Sequence, residues 1–324
     1  MFKVGLKNGK SFNCEPNTTI FEAAKASGIL LEHSCLTARC RSCVAKITSG
    51  NCKNVQQELV LTEDERKNNY VLTCNSIPKS DVSIDLEDLG NITIYPKKIY
   101  PSKINEIKKL TKEVVKITLR LPPNVSFHFN AGQYVNLIKN GMSRSYSIAN
   151  FSKKSIEFFI KNYPGGEMSN YWFNEAKIND LIRLEGPIGT FFIRESKLNN
   201  IIFIGTGTGV APIKSILDSL DKNKETLNNK EIWFFNGARY KEDLFWQPKN
   251  NNVNYLPVLS REVDDFNGFK GYVQDAVLDQ KIDLQDAQVY ACGSAEMINS
   301  AKELFTKNKL KESQFFSDAF VQTN

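Results

Sequence analysis

Four of the seven cysteines stand at a spacing that could hold iron and sulfide. Cys35, Cys40 and Cys43 follow one another as Cys-x4-Cys-x2-Cys, and Cys74 lies in a separate segment. Iron in a sulfide cluster needs several anionic sulfur ligands, and three ligands in one loop can wrap the cluster while a distant fourth closes it. The spacing therefore predicts a [2Fe–2S] cluster bound by these four side chains.

Two other kinds of metal site fit the cysteines less well. A structural zinc site commonly pairs two Cys-x2-4-Cys knuckles, and here the lone Cys74 stands in place of the second knuckle. A Rieske cluster needs two histidine ligands, and neither His33 nor His128 has a suitable partner in the sequence. Cys14 and Cys52 are expected to be unreactive thiols.

A second group of residues suits a flavin dinucleotide, which presents two phosphates and a wide flat ring. Arg144-Ser145-Tyr146-Ser147, in a predicted strand, offers a forked cation for the phosphates and an aromatic ring for stacking. One strand later, a Gly-x-x-Ser turn that opens a helix offers backbone N–H groups to a pyrophosphate. The candidate residues of this turn are Gly165, Gly166, Met168 and Ser169.

A glycine loop between an apolar strand, Ile201–Ile204, and an amphipathic helix suits a pyridine nucleotide. Val210 occupies the place of the last glycine in a Gly-x-Gly-x-x-Gly fingerprint, and Lys214-Ser215 lacks the preceding glycine of a Walker A loop. What remains is a strand, glycine loop and helix whose tip can approach a pyrophosphate. The candidate residues are Gly205, Gly207, Gly209 and Pro212.

The elements that must position these groups follow three successive patterns. Residues 1–92 combine a hairpin signal at Asn8-Gly9, a helix capped by Asn17-Thr18-Thr19 and a closing strand at Val82–Leu86, which predicts a small β-rich domain. Residues 100–196 contain short alternating strands separated by turn signals, which predicts an antiparallel β-barrel. Residues 197–324 alternate apolar strands with helical patterns, which predicts a doubly wound parallel sheet. Asp88–Pro101 is the predicted linker.

Composition narrows the class of protein. The chain has 324 residues, with 42 Lys+Arg against 36 Asp+Glu and a formal net charge of +6. This mild excess favours an anionic cofactor or an acidic protein partner over nucleic acid. No apolar stretch is long enough to span a bilayer, and the start lacks the features of a signal peptide. We therefore expect a cytoplasmic protein with reduced thiols.

At its four cysteines, the first domain resembles the plant-type [2Fe–2S] ferredoxin family, and the later segments resemble the ferredoxin–NADP reductase superfamily. The resemblance implies a multi-domain α+β and α/β fold: a β-grasp-like ferredoxin domain, an antiparallel β-barrel flavin domain and a doubly wound parallel-sheet nucleotide domain. It also implies cofactor-borne chemistry without a catalytic side chain. Electrons would pass from NAD(P)H to FAD and then singly to the cluster.

The motifs of this superfamily imply functional roles for the residues that match them. By resemblance, Arg144 would meet the FAD phosphates, Tyr146 would stack on the isoalloxazine and Ser147 would lie near its reactive nitrogen. Cys292-Gly293 matches the pair that helps to place the nicotinamide, and burial in the core is the alternative interpretation of Cys292. Phe320 is predicted to cover the flavin or nicotinamide face.

One branch of the superfamily is resembled over nearly the whole chain, namely the CDP-6-deoxy-Δ3,4-glucoseen reductases of 3,6-dideoxyhexose synthesis. The segments are Arg144–Asn150, Glu185–Phe192, Tyr290–Ser294 and, most distinctively, Phe315–Val321. This resemblance implies a pyridoxamine-phosphate-dependent CDP-sugar dehydrase as the electron-accepting partner, and it favours NADH over NADPH. Ser260-Arg261 is an opposing signal, because it could meet a 2′-phosphate.

The cluster loop departs from the family at two positions that often hold glycine, here Ala38 and Arg41. Glycine serves where the backbone needs a positive φ or close approach, so we expect a slightly reshaped loop that keeps all four ligands. Arg39 and Arg41 also add positive charge beside the cluster. They predict a docking face for an acidic partner, and a solvated loop is the alternative.

Two other functions stay open. The same three-domain order would serve the reductase component of a non-haem iron mono- or dioxygenase, and only the C-terminal resemblance favours the dehydrase. The other is a redox-sensing or metal-binding interaction module without turnover. Three cofactor sites in series disfavour that interpretation.

Overall fold

The computed structural model describes residues 1–90, 92–152, 155–222, 230–250, 252–261 and 266–319. These residues form two compact units, one from Met1 to Ile94 and one that begins at Tyr95. Phe320 lies outside the described residues. In the part of the chain that is described, no helix combines the length and apolar character needed to cross a membrane.

The first unit is a mixed sheet with one main helix. The β1–β2 hairpin turns at Asn8-Gly9, and the main helix begins at a capping box of Thr19 and Glu22. In space the sheet runs β2-β1-β7-β3-β5, with β1 and β7 parallel, and this arrangement confirms the predicted β-grasp-like fold. Its elements are β1 (Phe2–Leu6), β2 (Ser11–Cys14), α1 (Ile20–Ala26), β3 (Val44–Ser49), β4 (Cys52–Asn54), α2 (Glu63–Lys67), β5 (Tyr70–Leu72), β6 (Ser76–Pro78) and β7 (Val82–Ile84).

The second unit opens with a seven-stranded antiparallel sheet wrapped round its own apolar core, as the alternating strands predicted. In space its strands run β11-β10-β14-β8-β9-β13-β12. The long strand β8 begins inside the predicted linker, and Pro101 is one of its paired residues. The elements are β8 (Lys98–Lys109), β9 (Val114–Arg120), β10 (Tyr134–Lys139), β11 (Met142–Ser147), β12 (Asn150–Ser152), β13 (Ser155–Lys161), α3 (Glu167–Asn170) and β14 (Leu181–Ile188).

A six-stranded sheet whose neighbouring strands are all parallel completes the second unit. Its order is β18-β17-β16-β15-β19-β20, so the chain moves outward from β15 on one side and then returns to the other side. The elements are β15 (Asn200–Thr206), α4 (Val210–Lys222), β16 (Glu231–Ala238), β17 (Val253–Leu259), β18 (Phe269–Lys270), α5 (Val273–Asp279), β19 (Ala287–Gly293), α6 (Ala295–Lys307) and β20 (Phe315–Ala319).

Helices cover both faces of this parallel sheet. Helix α4 packs on the face that carries Ile201 and Phe203. Helices α5 and α6 pack on the opposite face, which carries Ile202 and Ile204. Strands that are buried on both faces have continuous apolar sequences. For this reason the sequence pattern predicted the doubly wound sheet correctly.

The barrel and the parallel sheet share one apolar core. Ala149 and Phe159 of the barrel side pack in the same cluster as Phe203 of β15 and Ile213 of α4. The buried Lys214 bridges the two parts, with its ammonium 2.7 Å from the Asp218 carboxylate on its own helix, 3.6 Å from Glu157 of β13 and 3.4 Å from the Ala149 carbonyl. Two of the predicted domains thus form one compact unit, and the predicted domain limits stay predictions.

Candidate functional site

The four predicted cluster ligands come together in the first unit and form two pairs. The Cys35 backbone N–H donates to the Cys40 sulfur at 3.3 Å, and the Cys43 thiol donates to the Cys74 sulfur, also at 3.3 Å. Cys40 and Cys43 are buried, whereas Cys35 and Cys74 are half-buried. No group of three or more potential ligands among the described residues converges on a single ion. Two thiol pairs suit a two-iron cluster, in which each iron takes two cysteine sulfurs.

Within each pair, the surroundings favour the anion at one sulfur: hydrogen bonding to the paired cysteine lowers the pKa of Cys35 and Cys74, whereas hydrogen bonding to the paired cysteine and burial raise the pKa of Cys40 and Cys43. The backbone N–H groups of Thr37 and Arg39 donate to the Cys35 sulfur at 3.4 and 3.5 Å. Hydrogen bonding from Cys40 outweighs burial and lowers the pKa of Cys35 to about 5. The hydroxyls of Ser42 and Thr73 are buried beside the ligands and have no hydrogen-bond partner within the described part of the chain. These hydroxyls fit a group that accepts hydrogen bonds, as a sulfide cluster does.

The loop keeps a left-handed backbone at both positions that depart from the family. Ala38 has a φ of 58° and Arg41 a φ of 66°, and Leu36 adds a third non-glycine residue at 55°. An L-residue in this region is strained because its Cβ crowds the following carbonyl oxygen. The loop therefore retains the turns that glycine would favour, at a conformational cost.

Arg41, one of the two cations of the predicted docking face, is engaged within its own unit, and the docking face stays a prediction. Its guanidinium donates to both Glu65 carboxylate oxygens, at 3.0 and 2.5 Å, and also to the Val60 carbonyl. A cation held in a forked pair within its own unit has little charge left for a partner. The exposed cation of the predicted pair is thus Arg39 alone.

The first group of predicted flavin residues, Arg144–Ser147, lies on β11, an edge strand of the barrel. Arg144 and Tyr146 alternate with Ser145 and Ser147, so each pair shares one face of the strand. The Ser145 hydroxyl donates to the Asn136 side-chain oxygen at 2.8 Å. The two faces therefore offer different chemistry, a cation and an aromatic ring on one and hydroxyls on the other.

Trp172 contacts the Tyr146 ring and hydroxyl, and none of the sequence motifs predicted this contact. Its indole N–H donates to the Tyr146 hydroxyl at 3.0 Å, and the two rings pack edge to face with centroids 6.2 Å apart. Burial raises the pKa of Tyr146, which therefore stays protonated and keeps its own proton to donate elsewhere. Trp172 lies in a π-helical turn, Tyr171–Glu175, directly after α3. The aromatic run after the Gly-x-x-Ser turn was the available signal.

The predicted pyrophosphate turn is formed at the start of α3. Gly165 has a φ of 79°, and α3 begins after Gly166. The Tyr163 backbone N–H donates to the Ser169 hydroxyl at 3.0 Å, which ties the turn to the residues that follow β13. The Met168 side chain is buried in the barrel core, so only its backbone could meet a ligand.

The predicted nucleotide loop and Cys292-Gly293 meet where the strand order reverses, between β15 and β19. In open parallel sheets, ligands bind in the crevice beyond the carboxyl ends of such strands. A Cβ on Gly209 would lie 2.2 Å from the Cys292 carbonyl oxygen, so only glycine permits this approach. At the loop tip, Gly207 has a φ of 56° and open space around it.

Cys292 itself faces the protein interior. Its side chain is fully buried in the core shared with the barrel, and burial raises the pKa of its thiol. Its carbonyl and the following Gly293 lie against the nucleotide loop: a Cβ on Gly293 would be 2.1 Å from the Thr206 hydroxyl oxygen. The packed side chain agrees with the alternative interpretation, and a nicotinamide-side role for this pair stays a prediction.

Three family profiles match the chain in succession. One described as a 2Fe-2S iron-sulfur cluster binding domain matches residues 6–79. One described as an oxidoreductase FAD-binding domain matches residues 101–193, and one described as an oxidoreductase NAD-binding domain matches residues 203–303. The profiles support binding of a [2Fe–2S] cluster, FAD and NAD, as the motifs predicted.

Named relatives cover nearly the whole chain. A Yersinia pestis protein named CDP-6-deoxy-L-threo-D-glycero-4-hexulose-3-dehydrase reductase is 38% identical over 97% of this chain and 96% of its own. Protein RfbI of Salmonella typhimurium is 36% identical over 97% of this chain and 94% of its own. The reductase component of propane 2-monooxygenase from Rhodococcus jostii is 30% identical over 93% and 86%.

Solved structures support the fold. Amycolatopsis cytochrome P450 reductase GcoB matches with a TM-score of 0.73 at 24% identity over 99% of both chains. The ferredoxin reductase in carbazole 1,9a-dioxygenase matches with a TM-score of 0.69 at 22% identity, over 99% of this chain and 98% of that one.

We expect Trp172→Phe to weaken FAD binding about fivefold, since a net hydrogen bond contributes about 1 kcal/mol and Tyr146 would lose its anchor. The measurement is a titration of flavin-free protein with FAD, followed by flavin fluorescence. Trp233→Phe is the matched control, because the Trp233 indole N–H has no hydrogen-bond partner among the described residues. Equal affinities of Trp172→Phe and wild type would contradict the anchoring role.

Proposed function

Because this chain belongs to the family of ferredoxin-containing FAD- and NAD-binding reductases, we propose that it passes electrons from NADH to a CDP-sugar dehydrase. The family makes the chain an NAD(P)H-dependent oxidoreductase. The observation that carries the choice of acceptor is the higher identity to the dehydrase reductase than to the monooxygenase component.

Each cofactor is assigned to one part of the chain. Residues 1–92 would hold the cluster through Cys35, Cys40, Cys43 and Cys74, residues 100–196 the FAD, and residues 197–324 the nucleotide. When bound, the nicotinamide supplies electron pairs, the flavin accepts pairs and releases single electrons, and the cluster carries single electrons. The protein contributes positions and electrostatics.

The flavin and nucleotide residues have distinct tasks in this proposal. Arg144 binds the FAD phosphates, Tyr146 supports the ring system from its Trp172 anchor, and the turn from Gly165 to Ser169 offers backbone N–H groups. The loop from Gly205 to Gly209 receives the nucleotide pyrophosphate. The shared core supports this assignment, because it holds the barrel and the parallel sheet at one fixed separation.

No general acid or base is assigned to the reaction. The chain has only two histidines, and both pack against aromatic rings: His33 against Phe21 and His128 against Tyr95. Proton transfer by a side chain is not required when cofactors carry electrons. No carboxylate or histidine stands among the predicted flavin and nucleotide residues, which supports this interpretation of the mechanism.

A second candidate function is the reductase component of an oxygenase. It is favoured by the match to the propane 2-monooxygenase reductase component, which spans most of both chains. The two candidates share the nucleotide, flavin and cluster and differ only in the protein that takes the electrons. Each purified acceptor must therefore be tested with the same reductase.

We expect Cys74→Ser to block electron delivery after the flavin. Without its fourth thiolate, the cluster should be lost, so transfer to the dehydrase should fall at least about a hundredfold. NADH should still bleach the flavin absorbance, because the second unit is unchanged. Cys52→Ser in the same unit is the control and should behave as wild type. A wild-type protein that never reduces any acceptor would instead support the redox-sensing module.

We expect Arg39→Glu to slow transfer to the dehydrase about tenfold at low salt, and far less at high salt. Electron-transfer contacts are small, and charge mainly sets their rate of association. Lys7→Glu, at an exposed ion pair of the same unit, is the control. Stopped-flow rates across a salt series provide the measurement. An unchanged Arg39→Glu rate at low salt would contradict an acidic docking partner.

The preference for NADH rests on the resemblance, and one observation favours NADPH. Arg239 and Arg261 lie just beyond the carboxyl ends of the neighbouring parallel strands β16 and β17, where the Arg261 backbone N–H donates to the Arg239 carbonyl at 3.1 Å. Paired arginines suit a 2′-phosphate. We expect kcat/KM to be higher with NADH, and Arg261→Ala to leave it unchanged. If wild type prefers NADPH and Arg261→Ala removes that preference, the nucleotide assignment is wrong.

A further inference from the structure

The turn between Cys40 and Cys43 sets how the two thiol pairs lie relative to one another. Cys40 pairs with Cys35, and Cys43 pairs with Cys74. If each iron takes one pair, the residues between Cys40 and Cys43 control the separation of the two halves of the cluster. Arg41 stands in this turn with a φ of 66°, a conformation that only glycine adopts without strain.

The Arg41 side chain compensates for this strained backbone. Its guanidinium forms a two-bond fork with the Glu65 carboxylate and also donates to the Val60 carbonyl. Both partners of the fork are largely withdrawn from water, with exposed side-chain fractions of 27% and 23%. Burial works to raise the pKa of Glu65, but the hydrogen bonds from Arg41 and Thr62 and the charge of Arg41 together outweigh it and lower the pKa to about 2.

Glu65 is a firm anchor because it also caps α2. Its carboxylate accepts from the Thr62 backbone N–H at 2.8 Å, while its own backbone N–H donates to the Thr62 hydroxyl at 3.2 Å. This reciprocal arrangement is a capping box.

The Val60 anchor is fixed as well. The Glu58 carboxylate accepts from the backbone N–H groups of Val60 and Leu61, at 3.1 and 2.9 Å, and from the Arg66 guanidinium at 2.7 Å. Leu61 is buried in one small apolar cluster with Cys43. Glu65 and Val60, the two partners of the Arg41 guanidinium, therefore lie on a segment that is fixed by its own hydrogen bonds and packing.

We propose that Arg41 is a positioning residue for the [2Fe–2S] cluster, which holds the left-handed turn between Cys40 and Cys43 by clamping it to Glu65 and Val60. The inference rests on the proposed cluster. It assigns Arg41 to the cluster's support rather than to partner docking. Residues that support metal ligands in this way typically change metal affinity by about 10–100-fold when they are removed.

The variants separate the clamp from the backbone strain and from the helix cap. Arg41→Ala removes the clamp and keeps the strain, whereas Arg41→Gly removes both. Arg41→Lys keeps the charge without the fork. Glu65→Gln keeps a residue that can complete the capping box but loses the charged partner. Lys7→Ala removes an exposed ion pair of the same unit and is the control.

The full-length, cluster-loaded protein is treated with an iron chelator, and cluster absorbance is followed over time. The electron paramagnetic resonance spectrum of the reduced cluster reports ligand geometry independently of activity. We expect Arg41→Ala to lose the cluster about tenfold faster than wild type. Arg41→Gly, Arg41→Lys and Glu65→Gln should be intermediate. Lys7→Ala should match wild type, and the spectrum of Arg41→Ala should shift.

The outcomes distinguish the clamp from the proposed function. A wild-type protein that binds no cluster after reconstitution defeats both. A loaded wild type with an Arg41→Ala rate within twofold defeats the clamp alone, and so does a Glu65→Gln rate equal to wild type. If Arg41→Ala takes up no cluster at all while its FAD content stays normal, the rate of cluster loss from Glu65→Gln is compared with wild type. A faster rate supports the clamp, and an equal rate defeats it.

Discussion

The apolar core shared by the barrel and the parallel sheet is the constraint on which the flavin and nucleotide sites depend. Two sites on separate bodies could drift apart, but Phe159 and Phe203 belong to one buried cluster and keep these sheets together. The Lys214 ammonium lies at this seam between Glu157 and Asp218. A buried cation needs such partners, because leaving it unpaired is strongly destabilising. The seam therefore tolerates few alternative arrangements.

The cluster site is held by a different means. Its unit has a small core of its own around α1 and the mixed sheet, and the thiols lie in a loop. A loop of this kind is ordered by polar contacts instead of by a sheet. Backbone N–H groups reach the Cys35 sulfur, and the forked pair of Arg41 and Glu65 ties the loop to α2. Hydrogen bonds thus order the cluster loop together with the small apolar cluster that contains Cys43 and Leu61.

Regular elements were predictable wherever one periodicity covered the whole element. The apolar stripe of α4 and the continuous runs of β15 and β19 became helix and buried strands, because each face had a single environment. Strand β8 was not predicted, because Pro96 and Pro101 indicated a linker. In the structure, Pro101 is one of the paired residues of this strand. Trp172 was not predicted either, because its partner Tyr146 is distant in sequence and is reached only through the π-helical turn.

The sequence by itself determined the chemistry of the protein: the cysteine spacing, the glycine loop and the three successive element patterns are local properties that the chain carries before it folds. Only the tertiary structure decided which of these side chains are buried or exposed and which partners they contact. Arg39 and Arg41 are the same residue type in the same loop, but the Arg41 side chain binds Glu65 and the Arg39 side chain is exposed to solvent. Likewise, Cys292 lines the protein interior while its carbonyl meets Gly209. Such pairings depend on which distant segments the packed sheets bring together, and no local pattern records that.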